Sequence, residues 1–528
     1  MLSAPRQKSP VNSEALPLIL LGAGFFARLA WSAWGFLNPD EAAHYLLSMQ
    51  PSLALAYKAS LTTAHPPLLI LFLHYWQAIG ISEIALRLPS VIAGTVFCWM
   101  VFRWMERVAN RTSALVTLAL LLFSPSLISL SAEIRQYSLL MAFAACSLYL
   151  LERAVGEESP AMMAGSFVAL YLAMLSHYSS LIFALALGVY GLFRLYSVRS
   201  KVFLIAVWVT GQIGGIALAA TLYVTHVSKL EDRNLPQQIA DTWLRNSIFH
   251  RGEENVLAFI AKANIRVFHF DFGNNVIGVL GLMLFVVGIV ILLRDKSGAP
   301  DHAKPSPRLL GMFLLLPFVI NCAVAVAGLY PYGGTRHNAL LTGFAMCGTG
   351  VGVSAWRTSV RWAKPLGIAL VLLICNVFPS PSGAYIQPRN QNRHLMVQAA
   401  EFVRQSVPAG SVLFTDYQSG LLFSYYLCHD KVVQFDPPFQ PFLKSDCGNV
   451  KVISTFPRIW IFQPDSFPGA LQDLQKTYAL NSDAKLWVFQ AGWLVNDEPV
   501  MQKQFRRYGC TRPQSFGENI LLCELRAQ

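Results

Sequence analysis

Five short stretches gather ionisable side chains beside long apolar runs. "NPDEAAHY" (38–45) carries Asp40 and Glu41, "AHPPL" (64–68) carries His65, and "SAEIRQYS" (131–138) carries Glu133, Arg135 and Tyr137. "SHYSS" (176–180) adds His177 and Tyr178, and "YPYGGTRHN" (330–338) adds Arg336 and His337. A carboxylate in such a place can take a proton from a hydroxyl or an amine. Arginine is the side chain whose planar fork grips a phosphate through two hydrogen bonds. Such donors stabilise charge as it develops on a departing phosphate. Each stretch alone has an ordinary explanation. Asp40 and Glu41 could be a hydrated helix start, Pro67 suits a first helical position, and Arg135 could pair with Glu133 or reach for head groups. Together they describe a site for a phosphate-linked substrate.

The elements that must hold these residues follow from composition. The chain has 528 residues, 54% hydrophobic and 13% charged. Soluble chains carry about 25% charged residues, so long apolar runs with so few charges indicate a polytopic α-helical membrane protein. The net charge of +12 is then topology and not nucleic-acid binding. The stretch 16–36 follows Arg6 and Lys8 but is too long for a cleaved signal, and it reads as an uncleaved first span. It holds Arg28, an intramembrane charge that is either functional or reaching for the surface. Further apolar segments lie at 66–81, 85–102, 114–131, 138–151, 161–176, 179–193, 202–225, 276–293, 309–329, 339–356 and 365–379.

Basic loops stay cytoplasmic. They are Arg103/Arg107/Arg111, Arg194/Arg199/Lys201, Arg294/Lys296/Lys304/Arg308 and Arg357/Arg361/Lys364. They share a side with the N-terminus only if one early segment does not cross. Segment 66–81 opens with two prolines and holds His74, Tyr75, Trp76 and Gln77, which suits an interfacial helix. About eleven spans then remain. All five polar stretches face outward, away from the basic loops.

The sequence divides into a membrane domain, 1–380, and a C-terminal α/β domain, 381–528. In the second, "SVLFTD", "KVVQF", "KVISTF", "RIWIFQ", "KLWVFQ" and "ILLCEL" read as strands, and "RHLMVQAAEFVRQS" and "PGALQDLQKTY" as helices. Its four cysteines, Cys428, Cys447, Cys510 and Cys523, suggest disulfides in an extracytoplasmic compartment. Spacing favours Cys428–Cys447 and Cys510–Cys523, although four cysteines allow three connectivities and four free thiols are the alternative.

An Asp-Glu pair after the first span, a His-Pro-Pro in the same outer loop and an Arg-x-Tyr before a later span resemble one family. It is the polyprenyl-phosphate-sugar-dependent membrane glycosyltransferases, which include protein O-mannosyltransferases and the lipid A aminoarabinose transferase. The resemblance covers roughly 16–380. It implies a C-type glycosyltransferase fold with interfacial helices in the first outer loop. It implies Asp40 as catalytic base with Glu41 beside it. It implies donor-phosphate contacts at His65, Arg135 and Tyr137. The residues themselves add His177, Tyr178, Arg336 and His337. Relatives often have Arg-Tyr where this chain has Arg336-His337, which leaves the sugar open. The expected partners are a polyprenyl (undecaprenyl) phosphate sugar donor, an extracytoplasmic acceptor and membrane lipids, with no cofactor and no metal. The expected location is the bacterial inner membrane.

A transporter or lipid flippase is the rival from another class, but its signature of paired repeats with polar groups near the midplane is not seen. A polymerase of lipid-linked glycans would change only the acceptor, and a sensor would make the C-terminal domain a ligand binder. The topology is testable. Single cysteines near 109 and 300 should react in intact cells only after permeabilisation, and those near 55, 135, 250 and 450 without it. The reverse pattern at 135 would overturn the assignment.

Overall fold

The computed structural model describes residues 11–33, 35–196, 198–230, 244–296, 304–355, 367, 392–428, 442–455, 459–478, 486–492 and 498–525. The contacts divide the chain into two compact units. One holds Met1–Trp31, Leu61–Leu68 and Arg87–Ile386, and the other holds Ser32–Ser60, Leu69–Leu86 and Gln387–Gln528. By contacts, much of the first outer loop clusters with the C-terminal sheet. The presumed span 365–379, the loop cations Arg357, Arg361 and Lys364, and "KVVQF" lie outside the described residues, save position 367.

The first unit is helical. Its elements are α1 (Val11–Ser32), α5 (Glu83–Val108, which begins in the other unit), α6 (Arg111–Phe123), α7 (Pro125–Ser131), α8 (Gln136–Gly156), α9 (Pro160–Ser176), α10 (Ser180–Tyr196) and α11 (Val202–Thr225). After them come α12 (Val256–Phe272), α13 (Asn275–Arg294), α14 (Pro307–Val326) and α15 (Ala339–Ser354). Among the described residues six helices are long and apolar enough to cross a membrane, and the bent pair α6–α7 makes a seventh. The apolar helices α9 and α10 are shorter.

The segment 114–131 is not one straight span. It bends by 59° between α6 and α7, where Pro125 cannot donate to the preceding turn. The break leaves carbonyls at the end of α6, and Arg28 meets them. Its Nη1 donates to Leu122 O at 2.7 Å and Nη2 to Leu121 O at 3.1 Å, while Nε reaches Ser131 Oγ at 3.4 Å. A Cβ on Gly94 would overlap Ser131 Oγ, so only glycine allows α5 this close. Arg28 is thus a buried cation at a helix C-terminus, where the dipole favours it, and it does not reach for head groups. Similarly Arg194, read from the sequence as a loop cation, is buried and paired with Glu152 at 3.0 Å.

The second unit holds the short helices α2 (Pro39–Ser48), α3 (Leu53–Ser60) and α4 (Leu68–Trp76) and a six-stranded sheet. At about 1.5 Å per residue the nine-residue α4 is far too short to cross a bilayer, as its composition implies. The sheet order is β2 (Phe442–Cys447), β3 (Val450–Thr455), β1 (Val412–Thr415), β4 (Leu486–Gln490), β6 (Ile520–Leu525), β5 (Gln514–Gly517). The strand β1 runs parallel to β3 and β4, and the other pairings are antiparallel. Helices α16 (Arg393–Ser406), α17 (Tyr417–Tyr426), α18 (Phe467–Tyr478) and α19 (Glu498–Arg507) accompany it. The expected strand "RIWIFQ" is not one. Its residues 459 and 460 instead accept hydrogen bonds through their carbonyls from the first turn of α17, and Pro464 follows closely. The disulfides are Cys428–Cys447 and Cys510–Cys523.

Arg28→Met should lower the unfolding midpoint of the detergent-purified protein. The carbonyls of 121 and 122 would lose their donor, at a cost of about 1–3 kcal/mol. Arg28→Lys, which keeps the charge without the fork, should lose less. Equal midpoints for Met and Arg would contradict the capping role.

Candidate active site

The acidic pair opens α2. The Glu41 amide donates to the Asn38 side chain at 3.0 Å, and the Asn38 amide donates to the Glu41 carboxylate at 2.9 Å. With Pro39 in the first helical position, this capping box accounts for the order Asn-Pro-Asp-Glu. It also separates the two carboxylates. Glu41 is buried and committed to the helix start, whereas Asp40 is half-buried. Of the two carboxylates, that of Asp40 is the less buried.

The helix is held at both ends. Ahead of it, the Leu37 amide donates to the Tyr426 hydroxyl at 2.8 Å, and that hydroxyl donates to Glu83 at 2.5 Å. Arg393 pairs with the same carboxylate at 2.6 Å. At its other end, His74 Nδ1 donates to Ser48 O at 2.9 Å. Between them Tyr45 meets Tyr425 edge-on, with centroids 5.0 Å apart. A base on such a helix keeps its place.

The basic and aromatic residues gather in the first unit. Arg135 is the N-cap residue of α8 and is buried. Its guanidinium lies over the Tyr137 ring, 5.6 Å from the centroid. The His177 ring lies 5.1 Å from Tyr137 and 5.3 Å from His65, and His337 lies 6.4 Å from Tyr137. Arg336, also buried, opens the turn 336–338. Asn338 fixes that turn by donating to Pro331 O and Gly333 O, each at 3.2 Å.

Two further groups at the start of α8 matter. The Tyr137 hydroxyl and both ends of the Gln136 amide are buried and have no hydrogen-bond partner among the described residues. Buried polar groups are nearly always paired, and these lie at the helix start that the Arg135 guanidinium shares. The first amides of a helix and its dipole favour an anion there.

His177 serves as a neutral donor. Its Nδ1 accepts the Ser179 amide at 3.1 Å, so in the neutral ring the proton sits on Nε2. Burial first, and then the charges of Arg135 and Arg336, push its pKa down from 6.5 to about 3. Both arginines are therefore electrostatically near it.

Six of the expected donor residues thus come together: His65, Arg135, Tyr137, His177, Arg336 and His337. Tyr178 does not join them through its hydroxyl, which meets His226 Nδ1 at 2.8 Å. His226 and Tyr330 were not foreseen. Tyr330 donates to His337 O at 3.0 Å, and its ring stands 6.4 Å from that imidazole. The doubled tyrosine in "YPYGG" was the available signal. Among the described residues no three His, Cys, Asp or Glu side chains converge as a metal would require.

The His177 shift has a sign. Its folded pKa lies below its unfolded one, so the unfolded chain binds the extra proton between about 6.5 and about 3. Its contribution to stability is full above 6.5 and is lost as pH falls through that window. The unfolding midpoint should drop from pH 7.5 to pH 5, and His177→Asn should flatten that slope. An unchanged slope would contradict the assignment.

Residues 64–224 match the family described as dolichyl-phosphate-mannose-protein mannosyltransferase. No curated protein sequence matches the chain. Among solved structures, ArnT from Cupriavidus metallidurans in the apo state is 11% identical, with a TM-score of 0.55 over 96% of this chain and 97% of that one. The same protein bound to undecaprenyl phosphate is 12% identical, with a TM-score of 0.54 over 98% of each chain. The apo oligosaccharyltransferase of Archaeoglobus fulgidus is 11% identical, with a TM-score of 0.46 over 90% of this chain and 69% of that one. The chain is a multi-pass membrane protein with the C-type glycosyltransferase fold, and its residues 64–224 resemble the dolichyl-phosphate-mannose-protein mannosyltransferase family.

Proposed function

We propose that the protein moves a hexosyl or pentosyl group from a polyprenyl phosphate to an extracytoplasmic acceptor, with inversion at the anomeric carbon. The bacterial inner membrane is the setting, with the C-terminal domain outside. The observation that carries this reading is the start of α8. Buried Arg135 lies there beside the unpaired groups of Gln136 and Tyr137, with the electrostatically coupled His177 and Arg336. A phosphodiester fits that combination of cations and neutral donors.

The step balances with these residues alone. Asp40 takes the proton of an acceptor hydroxyl or amine, and the freed lone pair bonds to the anomeric carbon. The bond from that carbon to the phosphate oxygen breaks, and its electron pair leaves with the lipid phosphate. Arg135 and Arg336 neutralise the added charge. Tyr137, His177, His65 and His337 supply donors and aromatic contacts. Neutral His177 serves this better than a third cation, since it can strengthen a hydrogen bond as charge grows without repelling the arginines. Glu41 acts through Asp40 by fixing the helix start. The two disulfides support an oxidising compartment for the C-terminal domain.

With purified protein and a lipid-linked sugar, Asp40→Asn should lower turnover about 10²–10⁴-fold with donor affinity unchanged. Arg135→Ala should lower both donor affinity and turnover, because phosphate is held in the ground and transition states alike. Near-wild-type turnover by Asp40→Asn would leave Asp40 as part of a helix cap and nothing more.

A further inference from the structure

The sheet has a switch point. From β1 the chain passes through α17 toward β3 on one side, whereas from β4 it passes through α19 toward β6 and β5 on the other. Open α/β sheets bind ligands in the crevice at the carboxyl ends of such a strand pair. Here the first turn of α17 and Gly492 after β4 stand at that place. Asp416 caps α17, accepting the Ser419 amide at 2.9 Å and the Phe462 amide at 3.0 Å. A carboxylate in the cap position argues against a phosphate there. Next to it, the Gln418 amide is fully buried with neither end hydrogen-bonded among the described residues. It lies against Gly492, at φ +130, where a Cβ would come within 2.6 Å of the amide.

The same turn carries an aromatic pair. The Tyr417 amide donates to Ile459 O at 3.1 Å, and the Gln418 amide to Trp460 O at 3.2 Å. These bonds fix the Tyr417 and Trp460 rings, with centroids 5.0 Å apart and planes at 70°. Both residues are half-buried. Helix α17 packs on α2. Burial first, and then the Asp40 charge, raise the Tyr417 phenol above its ordinary pKa, so the Asp40 carboxylate is close.

We propose that Tyr417, Trp460 and Gln418 form the acceptor subsite, and that the acceptor is a saccharide whose ring packs on the aromatic pair while a hydroxyl is presented to Asp40. The inference rests on the reading of Asp40 as base and adds the acceptor's class to it. A sugar ring offers an apolar C–H face to an aromatic ring and hydroxyls to amides and carboxylates, which is what these residues provide. An anionic acceptor group would be repelled by Asp40. An unpaired amide costs stability, and a sugar hydroxyl beside Gly492 would pair it.

The test uses full-length protein in lipid nanodiscs and saturation-transfer NMR with the methyl glycosides of glucose, galactose, mannose and N-acetylglucosamine. A serine-containing hexapeptide serves as the contrasting probe. At least one glycoside should receive saturation on its ring protons. Trp460→Ala should reduce that signal about tenfold or more, and Gln418→Met, close in size, several-fold. Glycoside binding reads the Tyr417, Trp460 and Gln418 subsite and turnover reads the base, so failure of the base reading and failure of this one are separable. No Trp460-dependent glycoside signal, or Trp460-dependent binding of the peptide in its place, would overturn the proposal.

Discussion

Arg135 and Arg336 carry permanent charge away from solvent, around an imidazole that burial first, and then their charges, keep neutral. Burying an ion costs several kcal/mol even after the surroundings relax. The sequence around these residues accommodates that cost. The break in α6–α7 turns the chain back so that α8 starts with Arg135 at its cap, and Asn338 holds the turn that carries Arg336. Such a place favours an anion.

The charges near the membrane face divide into two kinds. Arg28, Glu41, Glu83 and Asp416 hold structure: a broken span, a helix start, a brace and a second helix start. For the chemistry we propose Asp40, Arg135, Arg336 and His177. Sequence adjacency is no guide to this division, since Asp40 and Glu41 fall on opposite sides of it.

Much was legible because membrane chains place polar residues sparingly. Short polar stretches between apolar runs pointed to His65, Arg135, Tyr137, His177, Arg336 and His337 before any contact was known, and prolines with polar aromatics kept 66–81 out of the bilayer. The α/β strands with continuous apolar character, β1, β3, β4 and β6, were read correctly. The edge strands β2 and β5 were missed because "FLKSDC" and "QSFG" are polar, as edges are. "RIWIFQ" misled because apolar residues at a sheet's end look like a strand. Contacts across long separations had no local signal at all: Tyr178 with His226, Leu37 with Tyr426, and Arg28 with the end of α6.

The central claim is that the buried cationic cluster is completed by a lipid phosphate. Its most direct test is thermal unfolding of the purified protein with undecaprenyl phosphate against uncharged undecaprenol. Both offer the same chain to the membrane surface, and only one offers an anion. At a hundredfold excess over its Kd, the phosphate should stabilise the fold by about 2.7 kcal/mol, with little from the alcohol. Equal stabilisation by the two lipids, or none from either, would contradict the account.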